Sequence, residues 1–140
     1  MPGRTLVVDA NILVRAVLGN RVREVIERYG GDVSFFVAEA AYAEAEEHLA
    51  ALVVKRGGDP EKALAVLRSI GRLVELVGSE VYGGFENEAR ERLGQRDPED
   101  WPTLAAALSL RCPIWTEDTD FFGCGVATWT SDRVRMFLRE

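Results

Sequence analysis

Four consecutive apolar or β-branched residues, Thr5-Leu6-Val7-Val8, run straight into a carboxylate at Asp9. A short uninterrupted run of this kind reads as a strand buried on both faces of a parallel sheet. Asp9 then stands at the strand's carboxyl end, the edge of an open α/β sheet where ligands bind. A buried charge there is costly unless something pairs with it. The local alternative is that Asp9 caps a helix beginning near Ile12, a role that Asp and Asn both fill well.

The remaining chain alternates between the two backbone periods. Helical spacing covers residues 12–18, which Gly19-Asn20 stops, and residues 21–29, which a Gly30-Gly31-Asp32 turn follows. Residues 33–37 are β-branched and aromatic, a second strand. Residues 38–55 place Ala41, Ala45, His48, Leu49 and Leu52 on one stripe of an amphipathic helix. After Gly57-Gly58, Asp59-Pro60 opens a further helix to about Val77, although residues 74–77 also suit extended chain. Residues 79–82 read as a short strand and 86–93 as an exposed helix ended by Gly94. Residues 97–111 hold an alanine- and leucine-rich helix that Cys112-Pro113 stops. Strands follow at 114–116 and 126–130, then a terminal helix from Ser131 that Asp132 helps to start. Strands alternating with helices predict an α/β fold, a single domain over residues 1–140 with a parallel sheet covered on both faces.

Composition narrows the partners. No apolar run is long enough to span a bilayer, and Met1-Pro2-Gly3-Arg4 opens no apolar leader, so a cytoplasmic protein without a membrane partner is expected. Cys112 and Cys124 follow no metal-binding spacing and read as small buried side chains. The net charge of −6 argues against a broad basic nucleic-acid-binding face. A polyanionic partner therefore requires metal ions or a local cluster of the arginines, which make up 15 of the 17 basic residues.

Two predicted strands end in acid, at Asp9 and at Glu117-Asp118-Thr119-Asp120. Parallel strands side by side bring those ends together, and carboxylates at short range raise one another's pKa unless a hard cation with oxygen ligands intervenes. Asp100 shares a helical face with Leu104, Ala107 and Leu108, which puts a carboxylate on a buried stripe; the alternative is that Asp97 or Asp100 caps that helix, with Asp97 the better cap. Glu44 lies at the margin of its helix's apolar stripe, where most glutamates simply face water. His48 is the single histidine and, on the apolar face, reads as a core or edge residue. With one histidine and no phosphate-cradling glycine loop, nucleophilic triads and P-loop chemistry have little support; Phe122-Gly123-Cys124-Gly125 reads as an ordinary loop.

Four segments together resemble the PIN-domain family, in particular the VapC-like endoribonuclease toxins of toxin–antitoxin pairs. They are Val7-Val8-Asp9-Ala10-Asn11, Val37-Ala38-Glu39-Ala40-Ala41-Tyr42-Ala43-Glu44, Arg96-Asp97-Pro98-Glu99-Asp100-Trp101-Pro102 leading into Leu104-Ala105-Ala106-Ala107, and Trp115-Thr116-Glu117-Asp118-Thr119-Asp120-Phe121. They stand in family order across nearly the whole chain. The resemblance implies an α/β/α sandwich and a metal site formed by Asp9, Glu44, Asp100 and Asp118, with Asp120 as a fifth candidate. It also implies that Asn11 and Thr116 orient a carboxylate or water. The helical stretch from residue 59 to 77 departs from the pattern and has no assigned role.

By that resemblance the chain is expected to bind Mg²⁺ or Mn²⁺ and to hydrolyse RNA phosphodiester bonds by in-line displacement. Arg15, and less strongly Arg96, are candidate RNA contacts, with surface ion pairing as the alternative. A cognate antitoxin and a homodimer are the implied protein partners, and Asp9→Asn is expected to abolish cleavage with the fold intact. Two other readings remain open: a PIN-like scaffold that retains the acids without turnover, and a small phosphatase-type α/β domain. The second is disfavoured because no second aspartate stands two residues after Asp9 and the last strand offers no lysine.

Overall fold

The computed structural model describes residues 4–139. The expectation about a leader rests in part on Met1, Pro2 and Gly3, which lie outside the described residues. Five strands form one parallel sheet: β1 (Arg4–Val8), β2 (Val33–Ala38), β3 (Val74–Val77), β4 (Ile114–Trp115) and β5 (Thr128–Trp129), in the order β3-β2-β1-β4-β5. β1 is central. Val7 pairs with Phe36 on one side and Ile114 on the other, and Leu6, Val7 and Val8 are wholly buried, as an apolar run without alternation requires. Because every strand runs the same way, the residues that follow β1 and β4, Asp9 and Thr116, emerge on one edge.

Helices cover both faces of the sheet. The chain order is α1 (Ala10–Leu18), α2 (Arg21–Tyr29), α3 (Glu39–Lys55), α4 (Pro60–Ile70), α5 (Ser79–Tyr82), α6 (Glu86–Leu93), α7 (Trp101–Leu110) and α8 (Val134–Leu138). Helices α1, α3 and α4 pack on one another, while α7 packs on α5, α6 and β1. Every residue of α7 from Pro102 to Ala107 is buried, the signature of an inner helix. Trp115 anchors the core beside Phe35, their rings 6.1 Å apart. No helix among the described residues is long and apolar enough to cross a membrane.

Three local expectations change. The third strand in chain order is Val74–Val77, whereas Ser79–Tyr82 forms one turn of helix. The helix from Pro60 accordingly ends at Ile70, and a 3₁₀ turn over Gly71–Leu73 leads into the strand. A four-residue segment carries too little period to separate the two states; pairing with β2, which buries Val74 and Val77, selects the strand. The terminal helix starts at Val134, and Asp132 accepts a hydrogen bond from the Thr130 hydroxyl instead of capping it. His48 is exposed, one position around α3 from the fully buried Leu49. Cys112 and Cys124 are buried free thiols, and burial pushes Cys112 up to about 11.

Candidate functional site

Asp9 both caps and anchors. Its Oδ1 accepts the Ala10 N–H at 2.8 Å, which starts α1, and also the Thr103 hydroxyl of α7 at 3.3 Å. Its Oδ2 accepts the Thr116 hydroxyl at 2.7 Å and an Asn11 Nδ2–H at 3.0 Å. With 5% of its surface exposed, the carboxyl is pushed upward by burial, these bonds opposing the shift and the Asp118 charge adding to it. Asp9 is thus the N-cap of α1, and its buried carboxyl also lies within the field of Asp118.

From Asp9 the network passes to the loop after β4. Thr116 Oγ1 accepts the Asp118 N–H at 2.9 Å and an Asn11 Nδ2–H at 3.2 Å. Asn11 Oδ1 accepts the Glu117 N–H at 3.2 Å. Asp118 Oδ1 in turn accepts the Asp120 N–H at 2.9 Å, which closes a 3₁₀ turn. Asn11 and Thr116, polar residues between two acids in the sequence, are therefore the ties that fix the Asp118 backbone relative to Asp9.

Asp100 arrives from the opposite direction, at the start of α7. Its side chain makes no capping bond; Asp97 Oδ1 accepts the Glu99 N–H at 3.0 Å and so holds the preceding turn. Carboxylate oxygens of Asp100, Asp118 and Asp120 lie within 4.8 Å of one another. Asp100 is 9% exposed, and its Oδ2 is buried with no hydrogen-bond partner among the described residues. Burial, then the Asp9 and Asp118 charges, push the Asp100 carboxyl up to about 8. An orphaned oxygen among converging acids is the donor set that a hard divalent cation satisfies.

Glu44 sits outside this trio. It is exposed on α3, yet its carboxyl is raised, by partial burial first and then by the charges of Asp9 and Asp97, which places it at the rim of the same negative field.

Comparisons with known proteins follow the same lines. A family model described as the PIN domain matches residues 7–139. The chain belongs to the PIN-domain family. Among solved structures, the fold matches PAE2754 from Pyrobaculum aerophilum with a TM-score of 0.72 at 15% identity, covering 97% of this chain and 90% of that one. VapBC2 from Rickettsia felis, solved bound to a DNA fragment from its promoter, matches with a TM-score of 0.67 at 13% identity, covering 90% and 98%. FitAcB from Neisseria gonorrhoeae matches with a TM-score of 0.60 at 19% identity, covering 90% and 97%. No curated protein matches the chain.

Two arginines brace the acidic loop of this PIN domain. Arg96 Nη1 donates to the Asp120 carbonyl at 2.9 Å and to the Phe122 carbonyl. Arg92, paired with Glu88 on α6, donates to the Cys124 carbonyl at 3.0 Å. The loop needs such bracing because it turns through Gly123 and Gly125 at positive φ and has no regular structure after its 3₁₀ turn. Arg96 therefore links the segment that leads to Asp100 with the one that carries Asp118 and Asp120. Arg15 is exposed and lines a separate cavity beside Glu117.

The sequence reading missed Thr103, Arg92 and the bracing role of Arg96. Thr103, a hydroxyl on an otherwise alanine- and leucine-rich inner helix one turn after Asp100, was the visible signal. The arginine contacts reach 24 to 32 residues along the chain and leave no local pattern. A cavity of about 960 Å³ lies at the other edge of the sheet around Arg28, Arg111 and Asp32, away from the carboxylates.

Proposed function

We propose that this PIN domain is a metal-dependent endoribonuclease, the toxin of a toxin–antitoxin pair acting in the cytoplasm as one domain. The observation that carries the reading is the unpartnered, buried Asp100 Oδ2 within hydrogen-bonding range of no donor but close to two further acids. Asp100, Asp118 and Asp120 would hold Mg²⁺ or Mn²⁺, with Asp9 and Glu44 completing the negative field. The chemistry supplied there would be activation of a water and stabilisation of the charge that develops on phosphate oxygens during in-line displacement.

The protein's own contribution is placement. Asp9, tied to Thr103 of α7, Asn11 of α1 and Thr116 after β4, holds three elements in one register. Thr116 and Asn11 then fix the Asp118 and Glu117 amides, so little reorganisation is left for the reacting complex. Solved neighbours include a toxin–antitoxin complex from Klebsiella pneumoniae and VapBC-1 from nontypeable Haemophilus influenzae, which supports an antitoxin as protein partner; a homodimer is the assembly we propose it would bind.

The test is cleavage of labelled single-stranded RNA by purified protein in Mg²⁺ or Mn²⁺ and in chelator. Cleavage is expected only with the metal, and Asp118→Asn should lower it about 100-fold or more. Equal cleavage by the variant, or none by the wild type on any single-stranded RNA, contradicts the reading; the latter is the behaviour of a scaffold.

A further inference from the structure

A second cavity, about 290 Å³, adjoins the carboxylate site and is lined by Arg15 of α1, Arg21 of α2 and Arg135 of α8 together with Trp115, Glu117 and Ser131. We propose that this groove grips the phosphate backbone of the RNA strand beside the scissile bond, independently of base sequence. The inference rests on the nuclease reading and supplies what that reading lacks. A pocket of converging acids repels a polyanion, so a chain with a net charge of −6 needs concentrated positive charge next to the site.

The groove and the acids share a single turn of backbone. Glu117, which lines the groove, donates its N–H to Asn11, and Asn11 donates to Asp9. Asp118 is the next residue. A strand held by the arginines would thus lie beside the turn that carries Asp118.

The groove's walls are hydrogen-bonded to one another, while its arginines make no hydrogen bond or ion pair among the described residues. Glu117 Oε2 accepts the Ser131 N–H at 2.6 Å, and Ser131 Oγ accepts the Trp115 Nε1–H at 3.0 Å. Asp132, the other acid lining the groove, accepts the Thr130 hydroxyl and lies within the electrostatic reach of Arg21. No hydrogen bond or ion pair engages the side chains of Arg15, Arg21 or Arg135 among the described residues. Arginine forks match phosphate oxygens bidentately. The first turn of α2 opens on the same groove without a side-chain cap, adding a positive dipole end.

Trp115 is fully buried and offers no face for stacking, and the Glu117 and Asp132 carboxylates already accept hydrogen bonds, so the groove offers a strand chiefly the arginines' match to phosphate, which carries position, not sequence. The larger cavity at the far edge of the sheet also contains arginines but lies at the wrong end of the strands, which makes it the internal control.

The experiment measures binding of a fluorescent mixed-sequence RNA oligonucleotide in chelator, as a function of salt. The double variant Arg21→Glu/Arg135→Glu is compared with Arg28→Glu/Arg111→Glu at the far cavity; both change the net charge equally. The groove pair should weaken binding about tenfold or more and reduce the slope of log K against log salt by roughly 1 to 1.5. The far pair should change affinity less than about threefold, and Arg21→Gln/Arg135→Gln guards against a folding defect in the charge reversal. Equal losses from both pairs, or unchanged binding by the groove pair, overturn the proposal. Wild-type cleavage assayed in parallel separates the two claims: cleavage with an indifferent groove sinks the groove alone, whereas no wild-type cleavage sinks the nuclease reading and the groove with it.

Discussion

Asp100→Asn is expected to make the metal-free protein more stable while removing its metal-dependent activity. The wild-type residue keeps a carboxyl in a buried position, pushed up to about 8 by burial and by Asp9 and Asp118. Its folded pKa exceeds the unfolded value, so the native state binds the extra proton between about pH 4 and pH 8 and stability falls as pH rises through that window. Below it the cost disappears. Asparagine has no charge to bury, so its advantage in chelator should grow from pH 4 and level off above pH 8, reaching about 1–3 kcal/mol, or several degrees in melting temperature. Mg²⁺ or Mn²⁺ should reverse the ranking, because only the wild type gains from a ligand that binds the folded state. Cleavage should fall about 100-fold or more. Thermal denaturation across pH, with and without divalent ion, reads each part.

Asp9→Asn should behave in the opposite way. All four contacts on this carboxylate come from donors: the Ala10 N–H and Thr103 hydroxyl on Oδ1, and the Asn11 amide and Thr116 hydroxyl on Oδ2. An asparagine amide would turn an –NH₂ toward either the Ala10 N–H or the Asn11 –NH₂, neither of which can accept. Relief of the buried charge offsets part of that conflict. The lost bonds dominate because they tie α1, α7 and the turn after β4 together, and the variant should lose about 2 kcal/mol in chelator as well as its activity. The fold is expected to persist in this variant, at a cost measurable in urea denaturation. Two aspartates of one site thus respond to the same chemical change with opposite signs, since one is hydrogen-bonded on both oxygens and the other is orphaned on one.

The sheet was legible because its central strands are buried on both faces. Leu6-Val7-Val8 and Ile114-Trp115 leave no alternation to misread, and each ends in the polar residues that the site uses. Parallel topology put Asp9 beside Asp118 and one helical wheel put Asp100 on a buried stripe; that these acids share one site was what the family resemblance implied. What escaped was decided by tertiary partners. Val74–Val77 becomes a strand only because β2 offers an edge, and Ser79–Tyr82 becomes a helix whose Tyr82 packs edge-on against Trp101 at 5.7 Å. His48 fell on the wrong side of a stripe whose boundary is one residue wide. Arg96 looked free to meet RNA, and its carbonyl partners 24 and 26 residues away were invisible to any local rule.

Asp100, Asp118 and Asp120 are proposed to hold one divalent ion, whose binding displaces the proton that burial keeps on Asp100. Calorimetric titration of Mn²⁺ near pH 7, repeated in buffers of different ionisation enthalpy, measures binding and proton release together. Saturable binding with release of about one proton is expected, and loss of that release in Asp100→Asn. Absence of binding at millimolar Mn²⁺, or binding that releases no proton and survives Asp100→Asn unchanged, would contradict this assignment.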